Sequence, residues 1–215
     1  MNKMQAIRYL RKEFISKMAS GTYLTKDGTT NNTRLRSDLK IMGYNLKGIN
    51  LGGANLQEAD LSRVNLRGAN LGGANLAYAD LSGADLECAN LGGANLGYAK
   101  LISADLKGAN MSGTYLGYSD MSAAILVDAY LWGAYLKGSK LSSADIRRAY
   151  LRGADLKGAI LNHSNLKGAD LSGANIFGIE ADRDTARQAI LSAITNAKSD
   201  KEVKKLIDDL CISAK

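Results

Sequence analysis

The chain has no proline, one histidine, two cysteines and only 6% aromatic residues among its 215 positions. A single histidine excludes a histidine-based metal cluster, and two distant cysteines, Cys88 and Cys211, make no disulfide framework. No run of about 18 apolar residues exists, and charges interrupt the N-terminal segment, which argues against a membrane span or a signal peptide. We therefore expect a cytoplasmic protein without membrane contact. The absence of proline indicates a backbone whose N–H groups are nearly all hydrogen-bonded.

A five-residue unit recurs 27 times without interruption between Tyr44 and Gly178. Its centre is Leu in 23 units and apolar in all, the residue two before the centre is Ala in 20, the residue one before is Asn or Asp in 19, and the residue two after is Gly in 15. A period of five fits neither a helix nor a continuous strand, so each unit must contain a turn, for which Gly supplies the positive φ. Four such sides close a square coil with Leu at its centre and Ala at its corners.

Units such as ANLGG, ADLSG and ANLRG resemble the A(D/N)LXX signature of the pentapeptide repeat family, over 135 of the 215 residues. The resemblance implies a mainly β solenoid, a right-handed quadrilateral β-helix with one coil for every four units. The 27 units then give about seven coils. Because positions 20 apart stack, the sequence also predicts columns of residues along the surface.

The flanking segments have helical spacing and are expected to cap the two ends of the solenoid. We divide the chain into an N-terminal helical cap (1–43), the repeats (44–178) and a C-terminal helical cap (179–215). The apolar positions that predict these helices are Ile7, Leu10, Phe14, Ile15 and Met18; Leu35, Leu39 and Met42, followed by Gly43; Ala186, Ile190, Leu191 and Ile194; and Val203, Leu206, Ile207 and Leu210. Some members of the family dimerise through the C-terminal end of the coil, but two helices at that end favour a monomer.

The clearest candidate site is an aromatic patch in the later coils, where the position that is usually Asn or Asp becomes Tyr. Tyr, Trp and Arg are enriched at protein-binding hot spots, and exposed apolar area usually has a purpose. The alternative is that these rings only cover the sheet or meet a helical cap. The protein-binding candidates, here called the aromatic patch, are Tyr115, Tyr130, Trp132, Tyr135, Tyr150 and Arg152.

Two further columns are interpreted as structural. The column of Tyr78, Tyr98 and Tyr118 predicts a ladder of stacked rings, and Lys100, Asp120 and Lys140 alternate in charge, which helps to register the coils. A third column is Gly throughout and predicts type II turns along one edge. His163 and Cys88 fall at turn positions and are interpreted as ordinary surface residues.

No converging constellation of catalytic residues is visible, and an interior filled with Leu and Ala leaves no room for one. We therefore expect no enzyme, no cofactor, no metal and no small-molecule substrate. Charge divides the repeats: residues 44–130 have a net charge of −3, whereas residues 131–178 have +4. The sequence favours a non-catalytic protein-interaction scaffold with an unidentified protein partner.

Three alternatives stay open. Some pentapeptide repeat proteins mimic duplex DNA and bind DNA gyrase, but the resemblance implies acidic rods for that role, and this rod is positive in its later half. The basic segment 1–43, with a net charge of +6, suggests an anionic partner, although scattered cations argue against nucleic acid. A purely structural or regulatory role is the third, as in the many bacterial, and notably cyanobacterial, members without an assigned function.

Overall fold

The computed structural model describes residues 12–17 and 32–194. Helices α1 (residues 12–17) and α2 (Asn32–Ile41) precede the repeats, and helix α3 (Arg183–Ile194) follows them. Residues 1–11, 18–31 and 195–215 lie outside the described residues, and with them Ile7, Leu10, Met18, Cys211 and the predicted helix around Val203 and Leu206. None of the helices in the described ranges has the length and hydrophobicity needed to cross a bilayer.

The repeats form a coil that closes every 20 residues. Twenty-four parallel β-bridges, from Asn45↔Asn65 to Ile160↔Glu180, each join two residues 20 apart in sequence. Each bridge is isolated, because a turn follows within a few residues, so the described repeats contain no longer strand. The extended part of each unit is therefore brief, with one bridge residue per unit.

Four of the five backbone N–H groups in a unit bond to other backbone groups. In the unit centred on Leu71, the Asn70 N–H bonds to the preceding coil at 2.8 Å, and the Leu71 and Gly73 N–H groups bond to the following coil at 2.7 and 3.0 Å. The Ala74 N–H closes the turn on the Leu71 carbonyl at 3.0 Å. Coil-to-coil pairing on this scale explains why proline is absent, since it would remove one of these donors.

The fifth N–H is satisfied by a side chain, which explains the Asn and Asp residues of the repeat. The Gly72 N–H donates to Oδ1 of Asn70 at 3.1 Å, an Asx turn. The same contact occurs in all 19 units that carry Asn or Asp before the centre. The repeat pattern alone gives no reason for these residues; the Asx turn supplies it.

The residue two after each centre has a positive φ in every one of the 27 units, at 15 glycines and 12 other residues. A positive φ at the third residue of a four-residue turn is the mark of type II. The type II turns predicted along the all-glycine column are confirmed. The same turn is also imposed on residues with side chains, including Tyr78 at φ 61° and His163 at φ 62°.

At the N-terminal end, α1 and α2 cover the first coil. Phe14 of α1 and Leu35 and Leu39 of α2 are at most 2% exposed and belong to the same hydrophobic core as the repeats. Gly43 ends α2 at φ 63°, with the Gly43 N–H bonded to the Lys40 carbonyl and the next N–H bonded to the Leu39 carbonyl. This is a Schellman motif, as the position of Gly43 predicted.

At the C-terminal end, α3 meets the last coil through the buried Ala189 and Ala193 and through polar side chains. Gln188 Oε1 accepts the Leu166 N–H at 3.0 Å, and Ser192 Oγ accepts the Leu171 N–H at 3.1 Å. In earlier coils these N–H groups bond to the following coil, so side chains of α3 replace that coil as the acceptor. Leu191 is 57% exposed, whereas Ala189 is buried. The predicted apolar stripe of α3 was therefore wrong in orientation at Leu191.

Candidate protein-interaction surface

The aromatic patch lies on two adjacent sides of the coil. Side 1 contains the bridge column in which Tyr130 and Tyr150 are followed by Asp170, and side 2 contains the column with Tyr115 and Tyr135. The two sides meet at an edge made only of glycines, in front of which there is open space; this glycine edge is Gly53, Gly73, Gly93, Gly113, Gly133, Gly153 and Gly173. Aromatic side chains therefore stand on both sides of an edge without side chains.

On side 1, three rings form one contact cluster. Tyr130 and Tyr150 stack with their centroids 5.0 Å apart and an interplanar angle of 5°, and Trp132 meets both edge-on at 5.6 and 6.1 Å. Their exposed fractions are 39% for each Tyr and 51% for Trp132. The stacking distance matches the spacing of coils, so the ring faces are turned along the rod and the ring edges point outward.

On side 2, Tyr115 and Tyr135 contact each other at 6.5 Å with a tilt of 40°. A methyl group added at Gly97 or Gly117 would lie 2.8 or 2.9 Å from Tyr115 atoms, so the Tyr115 ring covers the backbone of both glycines. The packing of the Tyr115 ring over these two glycines was not predicted from the sequence. The available signal was that Gly97 and Gly117 occupy the same position of the unit, directly after the centre, in two consecutive coils.

The tyrosine ladder at the far edge of side 2 is confirmed. Tyr78, Tyr98 and Tyr118 stack at centroid distances of 5.0 and 5.3 Å, and the Tyr118 ring lies over Gly138. The structure shows no ring contact between the side 1 and side 2 groups among the described residues, so the predicted single patch consists of two ring groups that flank the glycine edge.

The cations of the later coils fall into two kinds. Arg147 pairs with Asp145 at 2.6 Å and Arg148 with Asp128 at 2.7 Å, and these hydrogen bonds hold the pKa of each carboxyl below its usual range. Arg152, in contrast, makes no ion pair or side-chain hydrogen bond within residues 12–17 and 32–194. Its charge is available beside the aromatic rings.

His163 and Cys88 show no arrangement of a catalytic site. The His163 side chain is 77% exposed, and its backbone N–H donates to Asp182, which also caps α3 by accepting the N–H groups of Asp184 and Thr185. These bonds hold the Asp182 pKa well below its usual range. Cys88 is exposed and carries a free thiol.

Sequence reasoning missed one acidic cluster on another side of the coil. Carboxylate oxygens of Asp85, Glu87 and Asp105 lie within 4.8 Å of one another, and Glu87 also pairs with Arg67. Neighbouring bridges stack Asp85 on Asp105. Asp85 and Asp105 are 20 residues apart, so the 20-residue register alone would have predicted that they stack. In the alternating column Lys140 lies 3.8 Å from Asp120, whereas among the described residues Lys100 forms no ion pair with Asp120, so the expected registration is seen for one of the two pairs.

A shallow cleft separates α3 from the last described coil. It measures about 430 Å³ and is lined by Leu166, Lys167, Gly168, Ala169, Asp170, Gln188, Leu191 and Ser192. Its polar residues include Gln188 and Ser192, which already bond to the coil backbone. The cleft therefore belongs to the packing of the cap.

The profile described as Pentapeptide repeats matches the chain in eight copies, over residues 45–83, 74–113, 104–143, 114–153 and 149–177. Among solved structures, HetL, a pentapeptide repeat protein involved in heterocyst differentiation regulation from the cyanobacterium Nostoc sp. strain PCC 7120, is 33% identical over 63% of this chain and 67% of its own, with a TM-score of 0.39. Rfr23, a pentapeptide repeat protein from the cyanobacterium Cyanothece 51142, is 30% identical over 71% and 96%, with a TM-score of 0.40. QnrB1, a plasmid-mediated fluoroquinolone resistance protein, is 18% identical over 69% and 92%, with a TM-score of 0.36. None of the curated proteins compared with the chain matches it.

Proposed function

Because the chain belongs to the pentapeptide repeat family, whose members fold as right-handed quadrilateral β-helices, we propose that it is a non-catalytic scaffold that binds a protein partner through the aromatic patch. Members of this family are generally structural or interaction proteins rather than enzymes. The proposal concerns the particular surface used here, formed by Tyr115, Tyr130, Trp132, Tyr135, Tyr150 and Arg152.

The observation that carries the proposal is the loss of Asx turns at the patch. Asn or Asp before the centre satisfies a backbone N–H in 19 of the 27 units. Of the eight units without it, four carry Tyr115, Tyr130, Tyr135 and Tyr150, and the other four carry Lys100, Ile125, Lys140 and Ile160. An unsatisfied N–H loses a hydrogen bond worth about 1 kcal/mol when no water replaces it. Half of the units that give up this contact thus carry an exposed tyrosine of the patch, which supports a binding role over simple coverage of the sheet.

The test compares two variants that each remove one stacked tyrosine pair. Tyr130→Asn with Tyr150→Asn restores the residue found at Asn110, Asn90 and earlier positions of the same column, where the amides bond from coil to coil at 3.0 Å. Tyr78→Gly with Tyr98→Gly removes a pair with the same 5.0 Å spacing from the ladder, and Gly is the usual residue at that turn. Both variants should fold, as checked by circular dichroism.

Affinity purification from a lysate of the source cells, followed by quantitative mass spectrometry, gives the readout. We expect a protein that is retained by the wild type and by the ladder variant but lost by the patch variant. Identical profiles for all three proteins would contradict the proposal and make the rings a covering of the sheet.

A further inference from the structure

The aromatic patch presents hydrogen-bond donors with few acceptors. In the units of Tyr130, Tyr135 and Tyr150, the N–H two residues later belongs to Trp132, Lys137 and Arg152 respectively, and none of the three N–H groups finds an acceptor in the described part of the chain. All three residues are exposed. A partner that docks here meets three backbone donors in addition to the side chains.

The side chains of the same three residues are also donors. The Trp132 indole, the Lys137 ammonium and the Arg152 guanidinium cannot accept hydrogen bonds, and within residues 12–17 and 32–194 none of them is paired with a carboxylate or bonded to a carbonyl. Two positive charges and three N–H groups therefore face outward among the rings. Such a surface is complementary to carboxylates.

The carboxylates that border the patch are already engaged. Asp155, one coil beyond Tyr135, accepts the amide of Asn175 at 2.8 Å, and Asp170, one coil beyond Tyr150, accepts both the N–H and the hydroxyl of Ser172. Neither lies within ion-pair distance of Arg152 or Lys137. The pKa of Asp170 is lowered by its hydrogen bonds from Ser172 and also by the charge of Arg152, so the two interact at a distance without forming an ion pair. Arg152 and Lys137 therefore keep their hydrogen-bond donors for a partner.

Ring orientation favours a protein over a single-stranded nucleic acid. Binding of bases relies on free aromatic faces, but Tyr130 and Tyr150 turn their faces toward each other and meet Trp132 edge-on. What they expose is ring edges and hydroxyl groups, which suit aliphatic side chains and carboxylates. Positive charge alone would serve either partner. The stacked rings of side 1 distinguish the two partners, whereas Tyr115 and Tyr135 on side 2 are tilted by 40° and carry no part of this argument.

We propose that the aromatic patch binds an acidic segment of a protein, with carboxylates accepting from Arg152, Lys137 and the neighbouring backbone N–H groups while apolar side chains of the segment lie against Trp132 and the tyrosine edges. This inference rests on the proposed function and names the chemistry of the partner. It further predicts binding that weakens as salt increases, because the pairs are near solvent.

Trp132 is the single tryptophan of the chain, so its fluorescence reports on the patch directly. The probes are short synthetic peptides that repeat Glu-Glu-Leu, Lys-Lys-Leu or Gln-Gln-Leu, titrated into the full chain at low and high salt. We expect a saturable change of Trp132 emission with the Glu peptide, weaker at high salt, and none with the other two. Equal binding of the Gln or Lys peptide, or no response to the Glu peptide, would overturn the inference.

Two charge variants assign the response to the patch. Arg152→Gln with Lys137→Gln should weaken binding of the Glu peptide by about tenfold, the size expected for losing two exposed ion pairs. Lys100→Gln with Lys107→Gln removes the same charge from other sides of the coil and should leave binding unchanged. Equal loss in both variants would show a mere effect of net charge and overturn the inference, as would tighter binding of a single-stranded oligonucleotide than of the Glu peptide.

The two proposals can fail separately. If a cellular protein depends on Tyr130 and Tyr150 but the Glu peptide does not compete with it, the scaffold function stands and the acidic partner is wrong. If no cellular protein depends on these tyrosines, the scaffold function is wrong, and the peptide titration decides the chemistry of the surface by itself.

Discussion

At the scale of single residues, the repeat assigns each position of the unit one physical task. The centre fills the core, the small residue fits the corner, and Asn or Asp closes the Asx turn. Ser and Thr at the corner show how narrow these tasks are. Thr114, Ser119 and Ser164 replace Ala there and donate their hydroxyls to backbone carbonyls, for example Ser119 Oγ to the Leu116 carbonyl at 2.8 Å.

Ser139 is the exception, since its buried hydroxyl has no hydrogen-bond partner among the residues that the structure describes. Because a buried hydroxyl without a partner costs about 1–3 kcal/mol, Ser139→Ala should stabilise the protein by roughly 1 kcal/mol and raise Tm by about 2–4 °C. Thermal unfolding followed by circular dichroism is the measurement.

Ser119→Ala is the matched control, because it removes a hydroxyl that is bonded. It should leave Tm unchanged or lower it. A lower Tm for Ser139→Ala than for Ser119→Ala would show that the Ser139 hydroxyl has a partner in solution. The sequence predicts a small residue at both positions, but not which hydroxyl is satisfied, because that depends on the local distance to a carbonyl.

At the scale of elements, the two ends differ in how much the sequence revealed. Leu35 and Leu39 of α2 are buried, and Gly43 ends the helix with a positive φ, as the apolar spacing and the glycine predicted. The sequence also predicted a helix that covers the C-terminal end, and Ala189 and Ala193 of α3 belong to the core. The hydrogen bonds that join Gln188 and Ser192 to the last coil were missed. Polar residues that pair with exposed backbone leave no hydrophobic period, so these contacts have no signal in the apolar pattern.

Asp182 joins α3 to the last coil and makes this junction sensitive to pH. Its carboxylate accepts bonds from the His163 N–H and from Thr185, and these lower its pKa in the folded protein. The resulting stabilisation is fully present above the unfolded pKa of about 3.9 and is lost as pH falls through the lower folded pKa. Asp182→Ala should therefore cost about 1 kcal/mol at neutral pH, a typical loss for a helix N-cap.

Chemical denaturation of both proteins at neutral pH and at acidic pH measures this difference. The gap between wild type and Asp182→Ala should shrink in acid. His163→Ala is the control at neutral pH, since it preserves the backbone N–H that Asp182 accepts and removes only an exposed imidazole, whose Nδ1 lies 3.6 Å from Asp182. It should change stability little at that pH. A gap that is constant across pH would mean that the charge of Asp182 contributes nothing.

At the scale of the whole molecule, the 20-residue register turns a linear sequence into surfaces. It correctly predicted the stacked pairs Tyr78–Tyr98 and Tyr130–Tyr150, both at 5.0 Å. It did not predict that Tyr115 lies over Gly97 and Gly117, because the register fixes where a side chain starts and not the direction in which it turns. The outline of the candidate surface was thus readable, while the shape and the free donors required the structure.

The same register distributes charge in a way that bears on the gyrase alternative. Duplex DNA carries one negative charge for about every 1.7 Å of its axis, so a mimic needs acidic surface along its whole length. This rod has a net charge of −3 over residues 44–130 but +4 over residues 131–178, and Asp145 in the later part is neutralised by Arg147. The positive half would repel a surface built to hold DNA.

We therefore expect no inhibition of DNA supercoiling by gyrase, even at a large molar excess of the full chain. Gel analysis of plasmid topoisomers provides the measurement, with a known gyrase inhibitor to show that the assay responds. Inhibition at a near-stoichiometric ratio would mean that the acidic coils suffice for binding. In that case the Tyr130→Asn, Tyr150→Asn variant should inhibit as well as the wild type, because it leaves every carboxylate in place, and the aromatic patch would lose its claim to be the functional surface.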